Sequence, residues 1–143
     1  MPNPINRRNF VQLCCTGCAL VATGCIAEVY GGAGDFRLAD DEFKALSTVG
    51  GVAPINVEDR ALLLIRTTAS EIVALSRICT HQQCDLSPSI AGSFDLDSGQ
   101  LRCLCHDARY DTTGKVVGGP APAPLDRFVV DFDPAAGVGQ VLL

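Results

Sequence analysis

Short apolar runs separated by turn residues dominate the chain from residue 55 onward. Residues 61–66 are almost entirely apolar, residues 67–70 are mostly polar, and residues 72–75 are apolar again. This spacing predicts a β-hairpin over residues 61–76, with a first strand that is buried on both faces.

The rest of the chain to the C-terminus repeats this pattern of short strands and tight turns. Gly99 and Gly114 each lie in a turn signal of the kind that joins two strands. The predicted strands are residues 94–96 with 100–102, residues 110–111 with 115–117, and the closing strands 128–132 and 139–143. Such spacing is typical of an all-β fold, an antiparallel β-sandwich or small barrel.

The residues before this region give a weaker pattern. Residues 36–38 are strand-like, and residues 40–46 predict one or two helical turns with Asp40 as the cap. Residues 47–54 predict a loop, because they contain two glycines and Pro54.

Composition narrows the class of protein. The chain has 143 residues, of which 48% are hydrophobic and 19% are charged, so one ordinary globular domain is expected rather than a disordered tail. The formal net charge of -5 argues against nucleic-acid binding, because neutralising phosphates requires clustered Lys and Arg.

The first 27 residues predict an export or anchoring segment. Arg7 and Arg8 are followed by an uncharged run to Ala27, and the pair with Phe10-Val11 resembles the bacterial twin-arginine export signal. The domain prediction is therefore a signal or anchor over residues 1–27, a Gly-rich linker over 28–35 and a globular domain over 36–143.

Three fates of this segment stay open: a retained membrane anchor, a cleaved signal and a lipoprotein. The run over residues 10–27 is near the lower length limit for crossing a bilayer. Residues 22–25 resemble a lipoprotein cleavage site, in which Cys25 would be lipidated. Each fate places the domain on the periplasmic or outer face of a bacterial membrane, where disulfides form. Cys14, Cys15 and Cys18 are interpreted as small apolar residues of the run.

The candidate chemistry lies in two short segments of the C-terminal half. Both histidines of the chain, His81 and His106, lie among its last four cysteines, which are Cys79, Cys84, Cys103 and Cys105. Thiolates and imidazoles at this spacing are compatible with four kinds of site: a structural zinc site in a binding module, a disulfide framework, a Cys–His nucleophile and an iron–sulfur cluster. The presence of both histidines favours a metal site.

The two segments, Cys79-Thr80-His81…Cys84 and Cys103-Leu104-Cys105-His106, resemble those of the Rieske iron–sulfur proteins. The resemblance implies a [2Fe–2S] cluster with Cys79 and Cys103 on one iron and His81 and His106 on the other. It also implies a disulfide between Cys84 and Cys105, as in the respiratory and photosynthetic branch of the family.

Three positions around the cluster are interpreted through the same resemblance. Residues 119–124, beginning Gly119-Pro120, resemble the proline loop that covers the cluster. Tyr110 matches the tyrosine whose hydroxyl reaches a ligand thiolate, here Cys103. Ala108 replaces the usual serine, whose hydroxyl donates to cluster sulfur. We therefore expect a reduction potential below that of family members that have both the serine and the tyrosine donors.

Further departures concern charge and docking. Asp107 replaces the usual glycine and adds a negative charge, which Arg109 is in a position to offset. Gln82 and Gln83 replace the usual Leu-Gly, and a polar residue at position 82 argues against docking at a standard quinol site.

The expected function is one-electron transfer on the outer face of a bacterial membrane, as a subunit of a quinol–cytochrome c oxidoreductase-like complex. The expected partners are a cytochrome of b or c type and a quinol. The alternatives are the small subunit of an exported molybdenum oxidase and a free-standing membrane-tethered carrier. A complete Rieske oxygenase is not expected, because its mononuclear iron needs further histidines.

Overall fold

Two antiparallel sheets account for the architecture of residues 32–143, the part of the chain that the computed structural model describes. The strands are β1 (Asp35–Arg37), β2 (Val52–Val57), β3 (Arg60–Arg66), β4 (Ile72–Ser76), β5 (Gly92–Asp95), β6 (Gln100–Cys103), β7 (Ala108–Asp111), β8 (Val116–Gly118), β9 (Arg127–Asp133) and β10 (Val138–Leu142). A 3₁₀ helix spans Asp41–Ser47. The predicted all-β fold is confirmed.

The larger sheet has the strand order β1-β10-β9-β4-β3-β2. Its centre is the predicted hairpin of β3 and β4, in which Leu64 pairs with Ala74. Leu62 and Leu64 face one core, whereas Leu63 and Ile65 face a second core. The run is continuously apolar because β3 lies between two cores, as the sequence predicts.

The smaller sheet, β5-β6-β7-β8, is inserted in the chain between β4 and β9. Its β5–β6 and β7–β8 pairs are the other two predicted hairpins. Leu101 and Tyr110 of this sheet pack with Leu63 and Leu75 in the second core. The small sheet thus packs onto the large one, and this packing holds the loops that connect the strands of the small sheet in place.

Two predictions for the N-terminal part of the domain are wrong. Residues 52–54 belong to β2 rather than to a loop, and Pro54 pairs with Leu63. A proline is tolerated there because β2 is an edge strand, where one face of the backbone needs no partner. Asp40 precedes the 3₁₀ helix, but its side chain makes no capping hydrogen bond; its backbone carbonyl accepts the N–H of Phe43 instead.

The described residues begin with a turn, in which the Gly32 N–H donates to Asp35 Oδ2 over 2.8 Å. Gly34 is buried, and its carbonyl accepts the Val141 N–H. The predicted signal segment, Cys25 and the first part of the predicted linker lie outside the described residues. Within residues 32–143, no helix has the length and apolar composition that crossing a bilayer requires.

Candidate metal centre

The predicted ligands lie in two loops with the same backbone turn. Loop 1 is residues 79–84, and loop 2 is residues 103–107 between β6 and β7. The Gln83 N–H donates to the Cys79 carbonyl over 3.0 Å, and the Asp107 N–H donates to the Cys103 carbonyl over 2.9 Å. Each turn ends on a left-handed residue that is not glycine, with φ of 58° at Gln83 and 64° at Asp107.

Loop 1 is closed at its base by backbone and ionic contacts. The Cys79 N–H donates to the Cys84 carbonyl over 2.9 Å, and the Leu86 N–H donates to the Arg77 carbonyl over 2.8 Å. Below these bonds, Arg77 Nε lies 3.1 Å from Asp85 Oδ2. Arg77 Nε has no well-aligned hydrogen-bond acceptor, so this contact is an ion pair rather than a directed hydrogen bond.

The Asp85 carboxylate is stabilised in its charged form. Partial burial raises its pKa, but hydrogen bonds from Ser87 and the charge of Arg77 outweigh burial and hold the pKa below its ordinary value of 3.8. Ser87 contributes its backbone N–H, which donates to Asp85 Oδ1 over 2.8 Å. The base of loop 1 is therefore held partly by a carboxylate that must stay ionised.

A disulfide joins the two loops. Cys84 of loop 1 and Cys105 of loop 2 are bonded, with their Cα atoms 6.7 Å apart. This confirms the predicted pair. The bridge removes the freedom of the loops to move apart, so the side chains they carry stay in register.

The four predicted ligands form two pairs, one of buried thiols and one of imidazoles that are less buried. Cys79 and Cys103 are each only 1% exposed and carry free thiols. The rings of His81 and His106 are 4.7 Å apart at their centroids and are nearly perpendicular, at 81°. His81 is half-buried, whereas His106 is exposed.

One buried atom indicates that a metal belongs here. Nδ1 of His81 is buried and has no hydrogen-bond partner among the described residues. Such an unpaired nitrogen is costly to bury unless it binds something. A metal coordinated by this nitrogen, together with soft thiolate donors close by, removes that cost.

The two buried thiols differ in acidity. Burial raises the pKa of Cys79, but hydrogen bonds from the Tyr110 hydroxyl and the His81 backbone outweigh it, so the pKa lies below the usual value. Burial also raises the pKa of Cys103, and the neighbouring Cys79 raises it further. Without a metal, one thiolate therefore opposes formation of the second, whereas a cluster would stabilise both.

Tyr110 contacts a different thiol from the one predicted. Its hydroxyl oxygen lies 3.3 Å from Cys79 Sγ, rather than beside Cys103. The register of the small sheet explains the difference, because Tyr110 pairs with Leu101 while Cys103 pairs with Ala108. The buried ring of Tyr110 therefore reaches loop 1.

Thr80 is a residue of this site that the sequence reasoning missed. Its N–H donates to Tyr110 Oη over 3.2 Å, and its hydroxyl lies 3.1 Å from the same oxygen. The Thr80 hydroxyl donates to the Ala123 carbonyl over 2.6 Å, which ties loop 1 to the predicted proline loop. Its position between two predicted ligands, Cys79 and His81, was the signal available in the sequence.

A further sulfur contact needs interpretation. The sulfur atoms of Cys84, Cys103 and Cys105 lie within 4.8 Å of one another. Two of them are already bonded to each other, so only Cys103 of the three has a thiol to offer a metal. This trio is therefore not a metal site by itself.

Comparison with known proteins identifies the family. The family model described as the Rieske [2Fe-2S] domain matches residues 38–129. The chain is a Rieske protein. It is 33% identical over 150 residues to the cytochrome b6-f complex iron-sulfur subunit of Prochlorococcus marinus, covering 90% of this chain and 81% of that relative.

Solved structures show the same fold. The ferredoxin of carbazole 1,9a-dioxygenase from Nocardioides aromaticivorans has a TM-score of 0.61 at 22% identity, covering 76% of this chain and 96% of its own. The plasma membrane Rieske protein of the cyanobacterium Synechocystis has a TM-score of 0.55 at 22% identity, covering 79% of this chain and 99% of its own. At this identity the likeness concerns the fold alone.

The cofactor of this Rieske protein is a Rieske-type [2Fe–2S] cluster. That excludes the zinc-stabilised binding module as an alternative. The thiol and imidazole donors of loops 1 and 2 are the donor set that such a cluster requires.

The predicted neighbours of the cluster lie beside loop 2. Ala108 is fully buried and pairs with Cys103 across β6 and β7, where its methyl group offers no hydrogen bond. Gly119, which begins the proline loop, has φ of 78°, and a Cβ there would lie 2.2 Å from the Asp107 carbonyl oxygen. Only glycine lets the proline loop come this close to the Asp107 carbonyl. The next residue, Pro120, is exposed.

The charge of Asp107 is offset by two arginines rather than one. Arg109 Nη2 lies 2.9 Å from Asp107 Oδ2, and Arg102 donates to the other carboxylate oxygen. These hydrogen bonds, from Arg109 first and then Arg102, hold the pKa of Asp107 below its usual range. Arg102 and Arg109 pair directly across β6 and β7, so Asp107 also separates two like charges.

Proposed function

We propose that this Rieske protein transfers single electrons as the iron–sulfur subunit of a quinol-oxidising membrane complex of the cytochrome b6-f type. One observation carries the proposal: two buried thiols and two neighbouring imidazoles, one of them exposed, lie on two disulfide-linked loops of a chain 33% identical to b6-f iron-sulfur subunits over 90% of its length. The disulfide between the loops agrees with that branch of the family.

The ligands in this proposal are Cys79 and Cys103 for one iron and His81 and His106 for the other. When bound, a Rieske cluster accepts and releases one electron. His81 has a free Nδ1 for this purpose, and the disulfide keeps its loop in place against that of His106.

His106 is the residue proposed to exchange a proton with a partner. Its imidazole is exposed in loop 2, whereas the thiols of Cys79 and Cys103 are buried. A quinol that docks against His106 would deliver its proton to this imidazole as its electron passes inward. The proline loop is tied to Thr80 through Ala123, and we expect it to limit the access of water to the buried thiols.

The proposed location is the outer, periplasmic face of a bacterial membrane. The twin arginines Arg7 and Arg8 support export by a route that carries folded proteins, which suits a chain whose cofactor is inserted beforehand. Attachment would use either residues 10–27 as an anchor or a lipid on Cys25. The intact mass of the membrane form separates these, because lipidation at Cys25 predicts loss of residues 1–24.

A second candidate is a membrane-tethered carrier that serves another redox protein, such as an exported molybdenum oxidase. The observation that favours it is the exposure of Gln82 and Gln83 at the tip of loop 1. Two amide side chains at this rim are poorly suited to an apolar quinol-binding pocket.

The test is an EPR-monitored redox titration of the full-length holoprotein at several pH values. The proposal predicts a rhombic signal and a potential that falls as pH rises past neutrality, because reduction then takes up a proton at a ligand imidazole. A low potential that does not change with pH would contradict it. Co-purification with a b-type cytochrome after mild solubilisation distinguishes the complex from the tethered carrier.

The sharpest variant in the same test is Gln82→Leu, with Gln83→Leu as its matched control. If loop 1 docks on an apolar pocket, only the first substitution should increase the rate of reduction by a quinol in the complex. Equal rates in both variants and the parent would favour the tethered carrier.

A further inference from the structure

Three sulfur atoms meet where the two cluster loops touch. Cys103 carries a buried free thiol, and its Sγ lies within 4.8 Å of both sulfur atoms of the Cys84–Cys105 disulfide. A thiol this close to a disulfide can undergo thiol–disulfide exchange once it loses its proton. Cys79, the other free thiol of the described residues, is not part of this group, although its side chain contacts both Cys103 and Tyr110.

We propose that Cys103 attacks the neighbouring disulfide whenever it is not bound to the cluster, so that the cluster protects the bridge between its own loops. The inference rests on the proposed role of Cys103 as a ligand. A thiolate that donates its electron pair to iron cannot at the same time attack sulfur, so the loaded protein keeps the Cys84–Cys105 bridge.

The exchange needs no external oxidant or reductant. The Cys103 sulfur forms a bond to Cys84 Sγ while the Cys84–Cys105 bond breaks. The leaving electron pair stays on Cys105, which takes up the proton that Cys103 lost. One disulfide and one thiol are present before and after, so electrons and protons balance.

The surroundings of the disulfide select Cys84 as the atom attacked. Attack there releases Cys105, which is exposed, so its thiolate is solvated by water. Attack on Cys105 would release the half-buried Cys84 and would close a bridge between residues separated only by Leu104. Burial disfavours a leaving thiolate, and so short a ring strains the disulfide.

The product cannot take up a new cluster as it stands. Cys103 is then locked to Cys84, which removes one proposed ligand from the buried side of the site. The site regains this ligand only when the Cys105 thiolate attacks the new bridge and restores the Cys84–Cys105 pair.

Two matched variants of the full chain test the exchange, Cys79→Ser and Cys103→Ser. Both remove one buried thiol and one proposed ligand, so both should lose the cluster, which iron and acid-labile sulfide analysis measures. They differ in whether the attacking thiol remains. Free thiols are alkylated without reduction, and the bridges are located by peptide mass spectrometry, with the parent holoprotein as the reference.

The proposal predicts a Cys84–Cys103 bridge in most chains of Cys79→Ser and an unchanged Cys84–Cys105 bridge in Cys103→Ser and the parent. Retention of Cys84–Cys105 in Cys79→Ser overturns it, as does a Cys103–Cys105 bridge. Bridges to Cys79 in Cys103→Ser, or to the N-terminal cysteines in either variant, would show scrambling of an unfolded chain and also overturn it. Retention of the cluster by Cys103→Ser would refute the ligand assignment and, with it, the protection of the bridge by the cluster.

Discussion

Replacing Tyr110 by phenylalanine should lower the reduction potential through the loss of one hydrogen bond. The Tyr110 hydroxyl has a single hydrogen and two acceptors within reach, Cys79 Sγ at 3.3 Å and Thr80 Oγ1 at 3.1 Å. The Thr80 hydroxyl donates its hydrogen to the Ala123 carbonyl, and the Thr80 N–H donates to the Tyr110 hydroxyl oxygen. The Tyr110 hydrogen is therefore shared between a thiolate and a neutral oxygen.

The size of the effect follows from that sharing. A hydrogen bond to a charged acceptor contributes about 1.5–3 kcal/mol, and only its strengthening on reduction moves the potential. Taking about 1 kcal/mol for that difference gives a fall of about 40 mV, since a one-electron couple shifts by about 59 mV for each tenfold change in equilibrium constant. The Thr80 N–H also loses its acceptor, which should cost about 1–3 kcal/mol of unfolding free energy.

The assay is a redox titration of the holoprotein at fixed pH, followed by EPR, with thermal unfolding monitored through the visible circular dichroism of the cluster. Thr80→Ser is the matched control, because serine keeps both the hydroxyl and the N–H; its potential should equal that of the parent. An unchanged potential in Tyr110→Phe, with the cluster intact, would refute the reasoning and place the hydrogen on Thr80.

Three further substitutions test the same loops. Ala108→Ser should raise the potential by a similar amount, about 40 mV, if the new hydroxyl donates to sulfur beside Cys103, and redox titration measures it. Gln83→Gly should raise the unfolding free energy by up to about 1 kcal/mol, because a left-handed φ costs a residue with a Cβ about 1–2 kcal/mol, partly offset by the greater freedom of glycine in the unfolded chain; a loss of stability would contradict this. Asp85→Asn should remove part of the pH dependence of the unfolding free energy. The folded pKa of Asp85 is lowered, so the ionised carboxylate stabilises the fold fully above about pH 3.8. This stabilisation is lost as the pH falls through the folded pKa. Unfolding measured against pH should show the parent and Asp85→Asn converging in acid.

Local signals in the sequence were sufficient to predict many of the strands and turns of this protein. Gly99 and Gly114 marked two hairpins, because tight turns require residues that tolerate a left-handed backbone, and both have positive φ. The apolar run of residues 62–65 predicted a strand covered on both faces. The spacing of cysteines and histidines in two short loops favoured a metal site, since a loop brings residues two or three apart to one centre, and the resemblance to Rieske proteins implied the cluster and the disulfide.

Contacts between distant segments were decided only by tertiary packing. Pro54 reads locally as a loop residue, and only its place on a sheet edge makes it part of β2. The reach of Tyr110 to Cys79 rather than Cys103 depends on strand register, and the pairing of Asp107 with Arg102 depends on the same register. The third sulfur beside the disulfide likewise arises from docking loop 2 against loop 1. Residue type and spacing set which groups are available, but packing of the two sheets sets which of them touch, because that depends on burying both cores at once.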